Sequence, residues 1–126
     1  MKLRLAANSI RLRLKRLEVE QLACGGRVEE RVCFTGRQDA FHYVLESSCA
    51  VDRIQARFQP SGIVVEVPAA HVAHWATCEQ VGIEGFQIAG DTDKLHILME
   101  TDFACLNGSD EQNADTFAHP LAGTKC

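Results

Sequence analysis

The chain has 126 residues, 46% hydrophobic and 24% charged, with a formal net charge of −4. That length suits one domain with one core, and the acid excess excludes a global basic field of the kind that gathers nucleic acid. No apolar run approaches the roughly 20 residues that span a bilayer as a helix, and the opening Met1-Lys2-Leu3-Arg4-Leu5 lacks the apolar stretch of a signal peptide, so a cytoplasmic location is expected.

Leu3 and Leu5 alternate with Lys2 and Arg4, a period-2 strand signal. Asn8-Ser9 is a turn pair, and Ile10, Leu12 and Leu14 then alternate with Arg11, Arg13 and Lys15 as a second strand with one wet face. The period changes over residues 16–24, where Val19, Leu22 and Ala23 share one helical face and Gly25-Gly26 supplies a stop. Val28 to Phe34 and Ala40 to Glu46 read as two more strands, separated by Gly36 and Asp39.

The same order then recurs. Ile54 to Phe58 is a strand, Pro60-Ser61-Gly62 a turn, and Ile63 to Val67 a strand apolar on both faces, which predicts deep burial. Pro68 suits the first position of a helix running to about Ala76, and strands near 82–88 and 94–101 complete the copy. Sliding the chain by 53 residues, then by 54 after one inserted residue near Thr77, sets Val19 beside Val72, Leu22 beside Trp75, Cys24 beside Cys78, Glu30 beside Glu84, His42 beside His96 and Glu46 beside Glu100. The expected fold is therefore α+β: a duplicated ββαββ unit, with eight mostly antiparallel strands in a sheet or a barrel and two helices on one face. Residues 1–46 and 54–100 are the copies, 47–53 a linker and 101–126 a tail, all within a single domain.

The pattern changes after Glu100. Asp102-Phe103-Ala104-Cys105-Leu106 leads into an acidic, polar stretch, and the chain closes on Phe117-Ala118-His119-Pro120-Leu121 and Cys126. Lys2-Leu3-Arg4, Asn8-Ser9-Ile10-Arg11-Leu12-Arg13-Leu14, Gln80-Val81-Gly82-Ile83-Glu84 and Asp102-Phe103-Ala104-Cys105-Leu106 together resemble a family of small bacterial proteins that is a domain of unknown function. The resemblance covers both repeats and the tail. A proline usually follows the tail phenylalanine in that family, where Ala118 stands here. It implies fold and bacterial origin, and it implies no activity and no catalytic residue.

Three side-chain constellations could carry chemistry. Arg4, Arg11, Arg13 and Arg57, with Lys2 and Lys15, occupy the polar positions of their strands. His42 with Glu46, and His96 with Glu100, are four apart on strands, so each pair shares a face. A closed barrel with that face inward would line a tunnel suited to polyphosphate and a divalent ion. That lining resembles the triphosphate-tunnel enzymes, although the Glu-x-Glu-x-Lys strand that marks them is absent. An outward-facing, solvated sheet surface alternates in the same way.

The second constellation is Cys105, His119 and Cys126, with Asp102 or Cys78 as a further ligand. These are donors that suit zinc at a spacing that matches no standard motif. The third is His71, His74 and Cys78, one stripe along a helix, which a partly exposed helix flank also explains. All six cysteines are expected as free, buried thiols in a reducing compartment. Serines stand in turns, and neither a Gly-x-Ser-x-Gly elbow nor a phosphate loop is present, so no reaction is assigned.

Charge is segregated: residues 1–16 carry six positive side chains and no negative one, and residues 100–115 carry five negative ones and no positive one. The acidic tail is expected to lie near the basic strands. The first functional reading is a non-catalytic binding or scaffold module with a protein partner. The alternatives are a phosphate-handling enzyme or polyanion binder on the basic sheet face, and a metal-binding protein acting through the tail. Membrane and nucleic acid are not expected partners.

Overall fold

The computed structural model describes residues 1–77 and 81–102. Among them the elements run β1 (Lys2–Ala6), β2 (Ser9–Leu14), α1 (Arg16–Gly25), β3 (Arg27–Gly36), β4 (Asp39–Ser48), β5 (Gln55–Gln59), β6 (Gly62–Pro68), α2 (Ala69–Thr77), β7 (Gly82–Ile88) and β8 (Lys94–Thr101). The sequence-based boundaries hold to within two or three residues. Pro68 differs in role, because it closes β6 opposite Ser48 and α2 begins one residue later.

The strands form two four-stranded sheets, ordered β1-β2-β8-β7 and β3-β4-β6-β5, and neither sheet closes into a barrel. Here they are called sheet A and sheet B. Each takes one hairpin from each copy. Within sheets the hairpins are antiparallel, as turns of a few residues require. The joins between copies, β2 with β8 and β4 with β6, are parallel.

The register repeats between the sheets. Ser9 opposite His96 in sheet A corresponds to Gly62 opposite His42 in sheet B, and Arg4 opposite Arg11 corresponds to Arg57 opposite Val64. Only β3 and β7 are out of step with the sequence alignment, by one residue. Val28 faces Leu45 as Ile83 faces Met99, so Glu84 corresponds to Glu29 rather than to Glu30.

One hydrophobic cluster joins both sheets to both helices, with Leu12, Leu45, Val65, Met99, Leu22 and Trp75 among its members. Burying each such side chain contributes roughly 1.5–3 kcal/mol. Val19 and Leu22 from α1, and Val72 and Trp75 from α2, are the buried helical residues, as the apolar stripes require. The helices pack against each other as well as on the strands. Trp75 is fully buried, and its indole N–H has no hydrogen-bond partner among the described residues. At α1 the Lys15 N–H donates to Glu18 Oε1 at 2.9 Å, and Gly26, at φ 79°, caps the other end by donating its N–H to the Leu22 carbonyl.

Side chains bridge both gaps between the sheets. Where β5 faces β7, Gln87 accepts the Ala56 N–H at 2.7 Å and donates to the Ala56 carbonyl at 3.0 Å, replacing the strand neighbour that the β5 edge lacks. Gly85 leaves room there for Ile54, since a Cβ would lie 2.0 Å from the Ile54 Cγ2. At the other gap the Tyr43 hydroxyl lies 2.9 Å from Glu30 Oε2 and 3.1 Å from the Met1 carbonyl, and the Met1 ammonium pairs with Glu18 and Glu30. Burial opposes ionisation of Glu30, but the ammonium and the Tyr43 hydroxyl outweigh it and hold its pKa below the usual carboxylate value. Burial and the Glu30 carboxylate push the Tyr43 phenol up to about 12.

Expected buried thiols are overturned at three positions: Cys24, Cys33 and Cys49 are free but exposed. Cys24 is on the wet side of α1, Cys33 on an edge strand and Cys49 just past β4. Cys78, Cys105 and Cys126 lie outside the described residues.

Two measurements test this architecture. Gly62 has φ 152°, and a Cβ there would sit 1.8 Å from the His42 carbonyl oxygen. Gly62→Ala should therefore cost about 3 kcal/mol in urea unfolding, while Ser9→Ala, at the corresponding place in sheet A, should cost under about 1 kcal/mol. Equal costs would contradict the close approach. Tyr43 is the chain's one tyrosine, so phenolate absorbance reports it alone. It should titrate near pH 12 in the folded protein and near the ordinary value of about 10 in denaturant. A folded pKa above the unfolded one stabilises fully below about pH 10 and is lost as pH rises through the folded value. Folded-state titration at the ordinary value would remove the Tyr43–Glu30 contact from the fold.

Candidate functional site

The outward face of sheet A is where the basic positions gather. Inward residues of β2 and β8, such as Ile10, Leu12, Ile97 and Met99, join the core, so Arg11, Arg13, His96, Leu98 and Glu100 point outward. Strand register sets three rows across the sheet: Lys2–Arg13–Glu100–Gly82, Arg4–Arg11–Leu98–Glu84 and Ala6–Ser9–His96–Phe86. Four cations thus stand in two cross-strand pairs of like charge, an arrangement that is destabilising on a bare sheet.

Counter-charge is sparse. Glu100 accepts a hydrogen bond from Arg11 Nε and lies 3.9 Å from Arg13 Nε. The Glu100 hydrogen bond raises the Arg11 pKa further, so this guanidinium is permanently charged. Lys2 Nζ is 3.6 Å from Asp102 Oδ2, and Arg4 has no ion pair among the described residues. Glu84 is occupied with His96, at 2.6 Å from Nε2, and the imidazole stacks on Phe86 with ring centroids 4.8 Å apart.

Among the described residues, recesses open on this face. One, of about 320 Å³, is lined by Arg4, Ser9, Arg11, His96 and Leu98. Another, of about 200 Å³, lies between Lys2, Leu3, Arg4, Arg11 and Arg13. Arg4 and Arg11 belong to both. A tight turn shapes the upper rim of the first, where Ala7 and Asn8 take positive φ values of 45° and 59°, as a two-residue hairpin loop requires. Asn8 is tied down by its side chain donating to the Lys94 carbonyl at 2.7 Å.

Sheet B carries the remaining predicted residues and brings none of them to this face. His42 Nδ1 is 2.9 Å from Glu29, Arg27 joins Glu46 at 3.0 Å and Glu29 at 2.7 Å, and Arg57 joins Glu66 at 3.0 Å. Hydrogen bonds from Arg27 and then His42 hold the Glu29 pKa below the usual carboxylate value. Beneath these pairs Val44 and Val64 are buried on the outer side of the sheet, outside the main core.

Of the two readings of the alternating cations, the outward-facing sheet surface holds and the tunnel does not. The chain makes two open sheets, and the cationic side chains alternate with core residues, so they face away from the enclosed side. Arg4, Arg11, Arg13, His96 and Glu100 share one surface, whereas Arg57, His42 and Glu46 share another. Each histidine is held by a glutamate on the neighbouring strand, Glu29 or Glu84, and not by the glutamate four residues on. Glu29 was hidden by the one-residue slip in the repeat alignment. Ser9 was hidden by its place at a turn.

Among the described residues no cluster of three or more metal-ligating side chains forms. Cys105, His119 and Cys126 lie outside those residues, as does Cys78, so only His71 and His74 of the helical stripe can be placed, both exposed on α2. The expected approach of the acidic tail reaches as far as the Lys2–Asp102 pair, and the rest of the tail lies outside the described residues. No helix among them is long and apolar enough to cross a membrane.

A family model described as "Family of unknown function (DUF7009)" matches residues 1–121. No curated protein and no solved structure matches the chain.

Proposed function

Since the chain belongs to this family of unknown function, DUF7009, and takes no activity from it, we propose from the geometry that it is a binding module. Its outer sheet A face takes an anionic partner through phosphoryl or carboxylate oxygens. The carrying observation is the pair of like-charged rows, Lys2 with Arg13 and Arg4 with Arg11. Unrelieved, such pairs cost stability; an oxyanion lying between them receives charge-assisted hydrogen bonds from both sides.

The internal copy supplies a control. At the matching places in sheet B stand Gln55 with Glu66 and Arg57 with Val64, so the same backbone does without stacked cations. Arg4 is the natural anchor, because its guanidinium is exposed and has no ion pair among the described residues. Arg11 keeps its terminal nitrogens available while Nε holds Glu100. Binding, with no chemical step, is the whole of this reading.

Thermal shift on the full chain tests it. Millimolar tripolyphosphate or poly-L-glutamate should raise Tm, since a ligand that binds only the folded state stabilises by mass action. Added salt should shrink the effect. Arg4→Gln should lose most of the shift while changing the unliganded stability by no more than about 0.5 kcal/mol. If neither anion moves Tm, the reading is wrong.

A further inference from the structure

We infer that the two recesses on sheet A hold the two phosphoryl groups of one small bisphosphate ligand, a deepening that rests on the anionic reading above. The geometry is set by the strands. Successive outward residues on a strand are about 6.6–6.8 Å apart, so the Lys2/Arg13, Arg4/Arg11 and Ser9/His96 rows form a ladder of that spacing. The first recess lies between the Arg4/Arg11 and Ser9/His96 rows, and the second between the Lys2/Arg13 and Arg4/Arg11 rows. Groups seated in the two are therefore also one row apart, about 7 Å. Neighbouring phosphates of a pyrophosphate chain are far closer than that.

The linings differ in the way such a ligand needs. In the first, Arg4 and Arg11 supply the charge and the donors, while Ser9, whose hydroxyl donates to the Ala6 carbonyl, and the imidazole, fixed by Glu84 and Phe86, shape the far wall. In the second, Lys2 and Arg13 add charge with no hydroxyl. A guanidinium has five donors in a planar fork, so Arg4 and Arg11 can each serve both groups. Leu98, beside Arg11 in register, gives the linker between the groups an apolar floor. Glu100 opposes the second group, since it sits beside both Arg11 and Arg13. The copy in sheet B keeps counterparts of Arg4 and His96 in Arg57 and His42, but has Gly62, Val64 and Glu66 in place of Ser9, Arg11 and Arg13, and Glu66 pairs with Arg57.

Calorimetric titration of the full chain with methylphosphonate and with methylene-, propylene- and butylene-linked bisphosphonates tests the inference. Affinity should peak at the linker whose span comes nearest about 7 Å, and should exceed that of methylphosphonate by about tenfold or more through effective concentration. Arg13→Gln should remove that advantage, lowering bisphosphonate affinity about tenfold while methylphosphonate affinity falls by much less. Lys2→Gln should do the same to a smaller degree, and Glu100→Gln should tighten bisphosphonate binding severalfold. Circular dichroism confirms that each variant is folded. Equal affinity for one group and two, or affinity that follows charge without a preferred length, overturns the inference while the anionic face stands. If poly-L-glutamate binds and no phosphonate does, the bisphosphate is likewise wrong. If none of these anions binds, the face itself is wrong.

Discussion

The parallel joins between the two copies are the constraint on which everything else rests. β2 lies beside β8 and β4 beside β6, so each sheet is complete only when a hairpin of one copy meets a hairpin of the other, consecutive in the chain for sheet B and separated by the whole of sheet B for sheet A. A two-stranded hairpin is marginal alone in water, and each here contributes only one flank of a shared core. The same joins assemble the proposed site. Ser9 and Arg11 come from β2, while His96, Leu98 and Glu100 come from β8.

The two copies share backbone pairing and a histidine–glutamate pair across the ladder, but have diverged at their other polar contacts. At one gap between the sheets a buried ammonium, Glu18, Glu30 and Tyr43 form a polar cluster. At the other, Gly85 replaces the acid, Ile54 fills the space, and Gln87 satisfies the open edge. On the outer faces, sheet B pairs Arg27 and Arg57 with carboxylates and holds His42 by Glu29 over a small apolar patch, while sheet A leaves its cations stacked. Duplication fixes where side chains can stand, and the divergence of the copies then decides which face has unspent charge.

Much of this was legible in the sequence because local periodicity carries it. Alternation in Leu3 to Leu14 marked a hairpin, and Val19/Leu22 and Val72/Trp75 marked helical stripes that are buried. A two-residue turn even fixes Arg4 opposite Arg11 once the hairpin is recognised. What was not legible depends on long-range pairing. Nothing in residues 1–46 says that the first hairpin's partner is β8 and not β3, so one sheet, one barrel and two sheets were equally compatible with the pattern. The histidine partners were missed for a related reason: His42 and Glu46 share a face along a strand, yet the shorter path runs across the ladder to Glu29. The candidate site was half visible, its cations by alternation, but its division between two faces needed the strand order.

The crossed assembly has a consequence for how the chain acquires its shape. Ser9 and His96 are register partners, so the first hairpin made during synthesis waits for nearly the last strand before its inner face is covered. Contacts between residues so distant in sequence slow folding, because loop closure must precede the contacts that reward it. Leu12 and Leu14, fully buried in the end, are bare throughout that interval. A nascent chain of this topology is exposed to misassociation through its own first strands, and the charged residues alternating with those leucines keep them soluble until β8 arrives.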